Sequence, residues 1–139
     1  MSRVYQASGT RSGIDASIVA VVMKGGVVAS LSGGDLPHVG AVALAEPRPS
    51  RKDSSKTSSS VSVLVRLGHK EDELARRLSG EMAASLDLPV VLSVGIHVDG
   101  ATEAQIREAE LLAVSLVSEA VPGMRRLLEG MPSTENRSL

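Results

Sequence analysis

The feature that most constrains the fold is a strict alternation of apolar residues that starts at Ile14. Alternate positions from Ile14 to Val22 are aliphatic, which places them on one face of an extended strand. Gly25 and Gly26 separate this run from a second one, Val27–Ser32, and a Gly-Gly pair permits the positive φ angles of a tight turn. The pattern therefore predicts an antiparallel hairpin within a sheet.

Three further segments have the alternation and composition of strands, namely residues 39–45, 61–67 and 90–98. Together with the hairpin they predict a single, mainly antiparallel sheet of about five strands. Residues 46–60 separate two of these strands and are rich in Pro, Ser, Lys and Arg. This composition is typical of a loop, so we expect a basic serine-rich loop over residues 46–60.

From Lys70 onward the apolar residues recur every four positions. Leu74, Leu78, Met82 and Leu86 would form a narrow stripe along one side of a helix. Acidic residues at the start of this segment suit the positive end of the helix dipole. We therefore expect a first long helix whose apolar side faces the sheet.

A second helix is expected from Thr102, which forms the pattern of a capping box with Gln105. It should run to about Val121, where Pro122 and Gly123 should interrupt it and a short helix over 124–129 should follow. The predicted fold is α+β, with two long helices packed on one face of the sheet. We expect a single domain over residues 1–139, ordered from about 12 to 130, with a flexible tail over 131–139.

Composition excludes several functional classes. The chain has no Cys, so disulfides, thiolate metal sites and cysteine nucleophiles are excluded, and a reducing cytoplasm is the expected location. A net charge of −1 without Phe or Trp offers nucleic acid neither general attraction nor a stacking platform. The longest purely apolar run, Ile18–Met23, is too short to cross a membrane, and no signal-peptide pattern precedes it.

The second face of the sheet is expected to be mixed, with Val19, Val21 and Leu64 among serines. An exposed apolar patch of this size is unusual on a monomer and is normally covered. We therefore expect a homodimer that forms through this face. The alternative is a cover from the same chain, either the last helix or the serine-rich loop.

Three histidines lie at the boundaries of predicted elements, at positions His38, His69 and His97. Imidazole donates, accepts and titrates near neutral pH, so these residues are candidates for ligand contacts or proton handling. The alternative is that each only hydrogen-bonds a loop carbonyl. With Asp35 and Asp99, His38 and His97 also offer nitrogen and oxygen ligands for a metal, although their spacing matches no metal motif.

Two segments are candidates for phosphate binding. Gly33 and Gly34 permit close backbone approach and free N–H groups that cradle an anion, but they are equally compatible with a simple turn. The basic loop combines cations with hydroxyls, a mixture that suits phosphate, although it is also typical of a solvated linker.

Four sequence blocks in this order resemble the LpdD-like family of small proteins associated with UbiD-type decarboxylases: LSGGDLPHVGAVALA, PRPSRKDSSKTSSSVSV, LGHKEDELAR and GIHVDGATEAQI. The resemblance implies a fold similar to that of proteasome assembly chaperones. It also implies a dimer that binds reduced prenylated FMN and assists its delivery to a UbiD-type decarboxylase. The implied protein is a cofactor chaperone and not an enzyme.

A prenylated flavin has a phosphate, a polar edge and an apolar body, and each needs a different environment. Under the resemblance, the phosphate would be held by Arg48, Ser50, Lys56, Thr57 and Lys70. The backbone of Gly33 and Gly34, in a turn that Asp35 stiffens, is the other candidate for the phosphate. The polar edge would meet His38, His69 and His97, while Ser93 and Gly95 would leave space for the rings. Two alternatives remain: a protein-assembly chaperone without a small ligand, and a small enzyme that uses Asp35, His38, His97 and Asp99.

Overall fold

Six strands form one sheet in this computed structural model, which describes residues 1–132. The strands are β1 (Ser2–Arg11), β2 (Ile14–Met23), β3 (Gly26–Gly34), β4 (Ala41–Pro49), β5 (Thr57–Val65) and β6 (Val90–His97). The helices are α1 (Asp72–Leu86) and α2 (Glu103–Glu129). The strand order is β1-β2-β3-β6-β4-β5, and only the β3–β6 pair is parallel. The predicted α+β class is confirmed, with six strands instead of five.

The additional strand is β1, which the expected ordered range of residues 12–130 leaves out. It pairs with β2 along its whole length through a two-residue turn. Ser12 (φ 52°) and Gly13 (φ 77°) are both left-handed, the geometry that fits the twist of a hairpin. The inward positions of β1 give only a weak apolar pattern because they are Tyr5, Ala7 and Gly9.

The serine-rich loop is shorter than predicted, spanning residues 50–56 instead of 46–60. The β4–β5 ladder continues outward to the pair Pro49 and Thr57. Proline removes a backbone donor and is disfavoured in a central strand. Pro47 and Pro49 are tolerated here because they lie beyond Ala45, the last β4 residue that pairs with β6.

The second helix is continuous through Pro122, so the predicted interruption and separate final helix are wrong. Ala120 and Met124, on either side of the proline, are fully buried, and this packing keeps both halves in one helix. The predicted capping box is confirmed at the other end, where the Thr102 hydroxyl accepts from Gln105 N at 3.2 Å. The predicted flexible tail falls almost entirely outside the described residues, although Met131 is buried.

The core lies between the helices and one face of the sheet, as the alternation predicts. The inward residues of β2, from Ile14 to Val22, are at most 5% exposed. They belong to one apolar cluster with Leu78 and Met82 of α1 and with residues of α2.

The opposite face of the sheet is open in the described residues. Val28 and Leu64 are 47% and 80% exposed, so neither the last helix nor the serine-rich loop covers them. Within residues 1–132, neither helix has a stretch apolar and long enough to cross a bilayer.

Candidate functional site

A cavity of about 810 Å³ opens between α1 and α2 near the end of β6. Its volume is within the range of about 300–1,000 Å³ that is common for small-molecule sites. One wall is aliphatic and consists of Leu74 of α1, Ile106 and Ala109 of α2, and the helix-facing residues Val94, Ile96 and Val98. This wall can bury an apolar guest.

The other wall of the cavity is polar. It comes from two connecting segments, one between β3 and β4 and one between β5 and α1, from the end of β6 and from Glu110 of α2. Its polar side chains are Arg66, Lys70, Glu71, Glu110, His38, His69 and His97. An amphipathic guest could therefore place its apolar part on one side and its polar part on the other.

The three histidines converge on this wall. The ring centroids of His38 and His69 are 4.9 Å apart, and those of His38 and His97 are 6.4 Å apart. Nδ1 of His38 lies 2.9 Å from the Leu36 carbonyl oxygen, and its Nε2 lies 2.8 Å from Oε1 of Glu71. Sequence reasoning identified the histidines as candidates but missed Glu71, which it assigned only to the helix dipole.

Two glycines make this convergence possible. The His38 carbonyl occupies the volume that a Cβ at Gly95 would fill, and the Glu71 carboxylate overlaps the volume of a Cβ at Gly40. The backbone of His38 fills the space that Gly95 was predicted to leave for flavin rings. Both glycines act by admitting the polar wall close to the sheet.

Ser93 does not face the cavity. Alternate residues of β6 point to opposite faces, and its neighbour Val94 lines the cavity. Ser93 lies on the open face, where its buried hydroxyl has no hydrogen-bond partner in the described residues. The predicted role of Ser93 beside the flavin rings therefore does not fit this cavity.

The glycines at the end of β3 approach the chain's own backbone. Gly34 (φ 74°) pairs with His97, and a Cβ there would overlap the His97 carbonyl. A Cβ at Gly33 would overlap the backbone of Asp15, and Asp35 N donates to the His97 carbonyl at 2.6 Å. A shallower cavity of about 370 Å³ lies beside these glycines. The backbone at Gly33 and Gly34 is closely approached, as predicted, but by the neighbouring strands.

The four residues that the sequence suggested as metal ligands, Asp35, His38, His97 and Asp99, do not form one cluster of ligand atoms in the described residues. Asp35 accepts from the backbone N–H of Asp99 at 2.8 Å, and Nε2 of His97 lies 2.9 Å from Oδ1 of Asp99. The first contact joins the segment after β3 to the turn after β6, and the second lies within that turn. The compact group of potential ligands in the described residues is instead His38, His69 and Glu71.

The basic loop lies far from the cavity. β4 begins beside the cavity and ends at Pro49, eight residues later, or roughly 26 Å at about 3.3 Å per residue. The candidate phosphate ligands on this hairpin are therefore remote from the histidines in a single chain: Arg48, Ser50, Lys56 and Thr57. The cations at the cavity are Arg66 and Lys70, of which only Lys70 was predicted.

The loop itself is held by local hydrogen bonds. Ser50 N donates to the Lys56 carbonyl at 2.8 Å, and Arg48 Nε donates to Oγ of Ser60 at 2.8 Å. The Ser55 hydroxyl and backbone N–H both donate to Asp53 and keep the pKa of that exposed carboxyl below its ordinary value. The backbone of the basic loop therefore forms an ordered turn at the tip of the β4–β5 hairpin.

Comparison with known proteins agrees with this fold. A family model described as a prenylated flavin chaperone LpdD-like domain matches residues 10–124. No curated protein matches the chain. A similar solved structure is a chain of a chaperone complex for yeast 20S proteasome assembly, with TM-score 0.50 and 12% identity over 88% of this chain and 98% of that one. At this identity the similarity shows the fold alone, and it confirms the predicted proteasome-assembly-chaperone-like architecture.

Proposed function

Because the chain belongs to the prenylated flavin chaperone LpdD-like family, we propose that it binds reduced prenylated FMN and passes it to a UbiD-type decarboxylase. The binding site we propose is the cavity between α1 and α2. The observation that carries this proposal is the pairing of an aliphatic wall with a polar wall that holds histidines and two cations.

The chemistry of the two walls suits the parts of a prenylated flavin. Lys70 and Arg66 supply positive charge for the phosphate, and His69 and His97 supply partners for the polar edge of the ring system. Both ring nitrogens of His38 are already in contact with Leu36 and Glu71. One guanidinium nitrogen of Arg66 donates to the Val39 carbonyl at 2.9 Å, which fixes the side chain and leaves further donors for a ligand. Ile96 and Ile106 offer aliphatic contact to the prenyl-bearing body.

The character of the cavity favours a carrier over a catalyst. None of its lining residues is Phe, Tyr or Trp, so a flavin would be held without stacking on such a ring. Aliphatic contacts and a few hydrogen bonds give a moderate affinity that permits release to a partner. The family to which the chain belongs is named for chaperones, which also indicates a non-catalytic protein.

We further propose that the open face of the sheet forms a homodimer. Cross-strand pairing aligns five aliphatic side chains across five neighbouring strands, and we call this row the apolar stripe: Val4, Val21, Val28, Val91 and Leu44. Directly paired residues share a face of the sheet, so the stripe is continuous. An exposed row of this kind is typical of an interface between subunits. A cytoplasmic location stays a prediction from the composition.

An anaerobic titration with reduced prenylated FMN tests the proposed function. The chain has one Tyr and no Trp, so the absorbance of a bound flavin stands out from that of the protein. Native mass spectrometry of the same sample reports the subunit number and the ligand mass together. We expect a dimer that carries the cofactor.

The transfer step needs a second measurement. The loaded protein is mixed with an apo form of a UbiD-type decarboxylase, and the appearance of decarboxylase activity is compared with that produced by the same amount of free cofactor. Faster or more complete activation supports the proposal. A dimer that never acquires the ligand mass would favour the alternative of a protein-assembly chaperone without a small ligand.

A further inference from the structure

Three potential metal ligands in the polar wall have the separations of a metal site. Nε2 of His38 is 2.8 Å from Oε1 of Glu71 and 3.2 Å from Nδ1 of His69, which is 3.6 Å from Oε2 of Glu71. With bonds of about 2.1 Å, ligand atoms lie about 3.0 Å apart at an octahedral corner and about 3.4 Å apart in a tetrahedron. The observed distances bracket these values.

The hydrogen bonds of His38 point to the same conclusion. A carbonyl oxygen only accepts, so the contact with Leu36 places a hydrogen on Nδ1 of His38. In the neutral ring Nε2 is then an acceptor, yet it faces a carboxylate oxygen of Glu71, which is also an acceptor. A metal cation between these atoms would satisfy both acceptors, as would a second proton on the ring, which makes the contact an ion pair. A metal-bound histidine commonly donates its other ring N–H to a backbone carbonyl in this way.

The surroundings hold the three ligands in place. The side chains of His38, His69 and Glu71 are 12%, 28% and 17% exposed, so their positions are restricted by packing. Glu71 lies over Gly40, and one of its oxygens accepts from the backbone N–H of Lys70 at 3.1 Å. All three residues also line the cavity, so a metal bound here would have positions open to a guest.

We propose that Nε2 of His38, Nδ1 of His69 and the carboxylate of Glu71, whose Oε1 faces His38 and whose Oε2 faces His69, together bind one divalent transition-metal ion. Two imidazoles and one carboxylate suit Zn²⁺, Co²⁺, Mn²⁺ or Fe²⁺, and the absence of a sulfur ligand disfavours soft metals. The remaining coordination positions face the cavity and would accept oxygen ligands, such as water or a phosphate oxygen. This site does not depend on the identity of the guest in the cavity.

Titration of tag-free protein with Co²⁺ and with Zn²⁺ tests the proposal. We expect one ion per chain, with visible absorption bands from Co²⁺ that show nitrogen and oxygen coordination. Glu71→Gln and His38→Gln should each weaken binding by at least about 10-fold. His97→Gln is the matched control, because His97 lines the same cavity without belonging to the three ligands.

Thermal unfolding gives a second readout that does not depend on the spectrum. An ion that binds only the folded chain raises the Tm, so Zn²⁺ should raise it in wild type and in His97→Gln but not in Glu71→Gln. His69→Gln replaces His38→Gln if the latter does not fold. The proposal is overturned if wild type takes up neither ion stoichiometrically, if the ligand variants bind as wild type does, or if His97→Gln loses as much affinity as Glu71→Gln.

Discussion

The carbonyl oxygen of His38 lies against the α-carbon of Gly95, in the volume that any larger residue would need for its Cβ. Two backbone hydrogen bonds hold this crossing, from His38 N to the Gly95 carbonyl at 3.3 Å and from Gly40 N to the Val94 carbonyl at 3.0 Å. The segment between β3 and β4 is thereby fixed beside the end of β6. The position of the His38 ring in the cavity depends on this contact.

Gly95→Ala should therefore destabilise the protein and displace His38. A methyl group at this position meets backbone atoms that can yield only by moving the whole segment, and overpacking of this kind costs about 1–3 kcal/mol. Urea unfolding measures the change in the free energy of unfolding. Ser93→Ala, two residues away on β6, should be neutral or stabilising, because it removes a buried hydroxyl without a partner. Equal stability of Gly95→Ala and wild type would contradict the role assigned to this glycine.

Local signals in the sequence were sufficient for much of the fold. The alternation of β2 and the capping box of α2 each depend on residues close together in the chain, and both are present. The predicted β2–β3 hairpin is also present, but its two-residue turn is Lys24-Gly25, because Gly26 already pairs with Met23. β1 escaped prediction because its inward residues are small or partly exposed. The predicted interruption of α2 at Pro122 was wrong because the packing of the buried residues on either side outweighs the unfavourable effect of proline on the helix.

The site was less predictable because it depends on distant contacts. Glu71 meets His38 across 33 residues, and nothing near Glu71 distinguishes it from the other acids at the start of α1. The basic loop was assigned to the phosphate by composition, but the direction of β4 decides which end of the hairpin lies beside the cavity. Composition does not specify that direction.

Removing a positively charged side chain from the cavity should weaken binding of a phosphorylated flavin. Lys70→Ala should cost about 1–3 kcal/mol in binding free energy, because a charge-assisted contact to the phosphate is lost. Lys56→Ala is the matched control and should have little effect, since Lys56 lies at the far end of the β4–β5 hairpin. Anaerobic titrations with the reduced prenylated cofactor and with its dephosphorylated form measure both changes. If Lys56→Ala lost more binding free energy than Lys70→Ala, the phosphate would have to bind at the basic loop and not at the cavity.

A charge in the apolar stripe should dissociate the proposed homodimer. Val28→Glu places a carboxylate at the middle of the stripe, where a second copy would have to bury it. Native mass spectrometry or sedimentation should then report a monomer. Leu67→Glu is the control, because Leu67 is fully exposed and lies outside the strands. A Val28→Glu variant that remains a dimer would exclude this face as the interface.

Blocking the cavity tests the central claim most directly, and two exposed residues of α2 offer a matched pair. Ile106 lines the cavity and is 50% exposed, while Leu111 does not line it and is 42% exposed. In anaerobic titrations with reduced prenylated FMN, Ile106→Trp should lower the affinity roughly 10-fold or more, which corresponds to about 1.4 kcal/mol, and Leu111→Trp should bind as wild type does. Unchanged affinity in a folded Ile106→Trp protein would contradict the placement of the cofactor between α1 and α2.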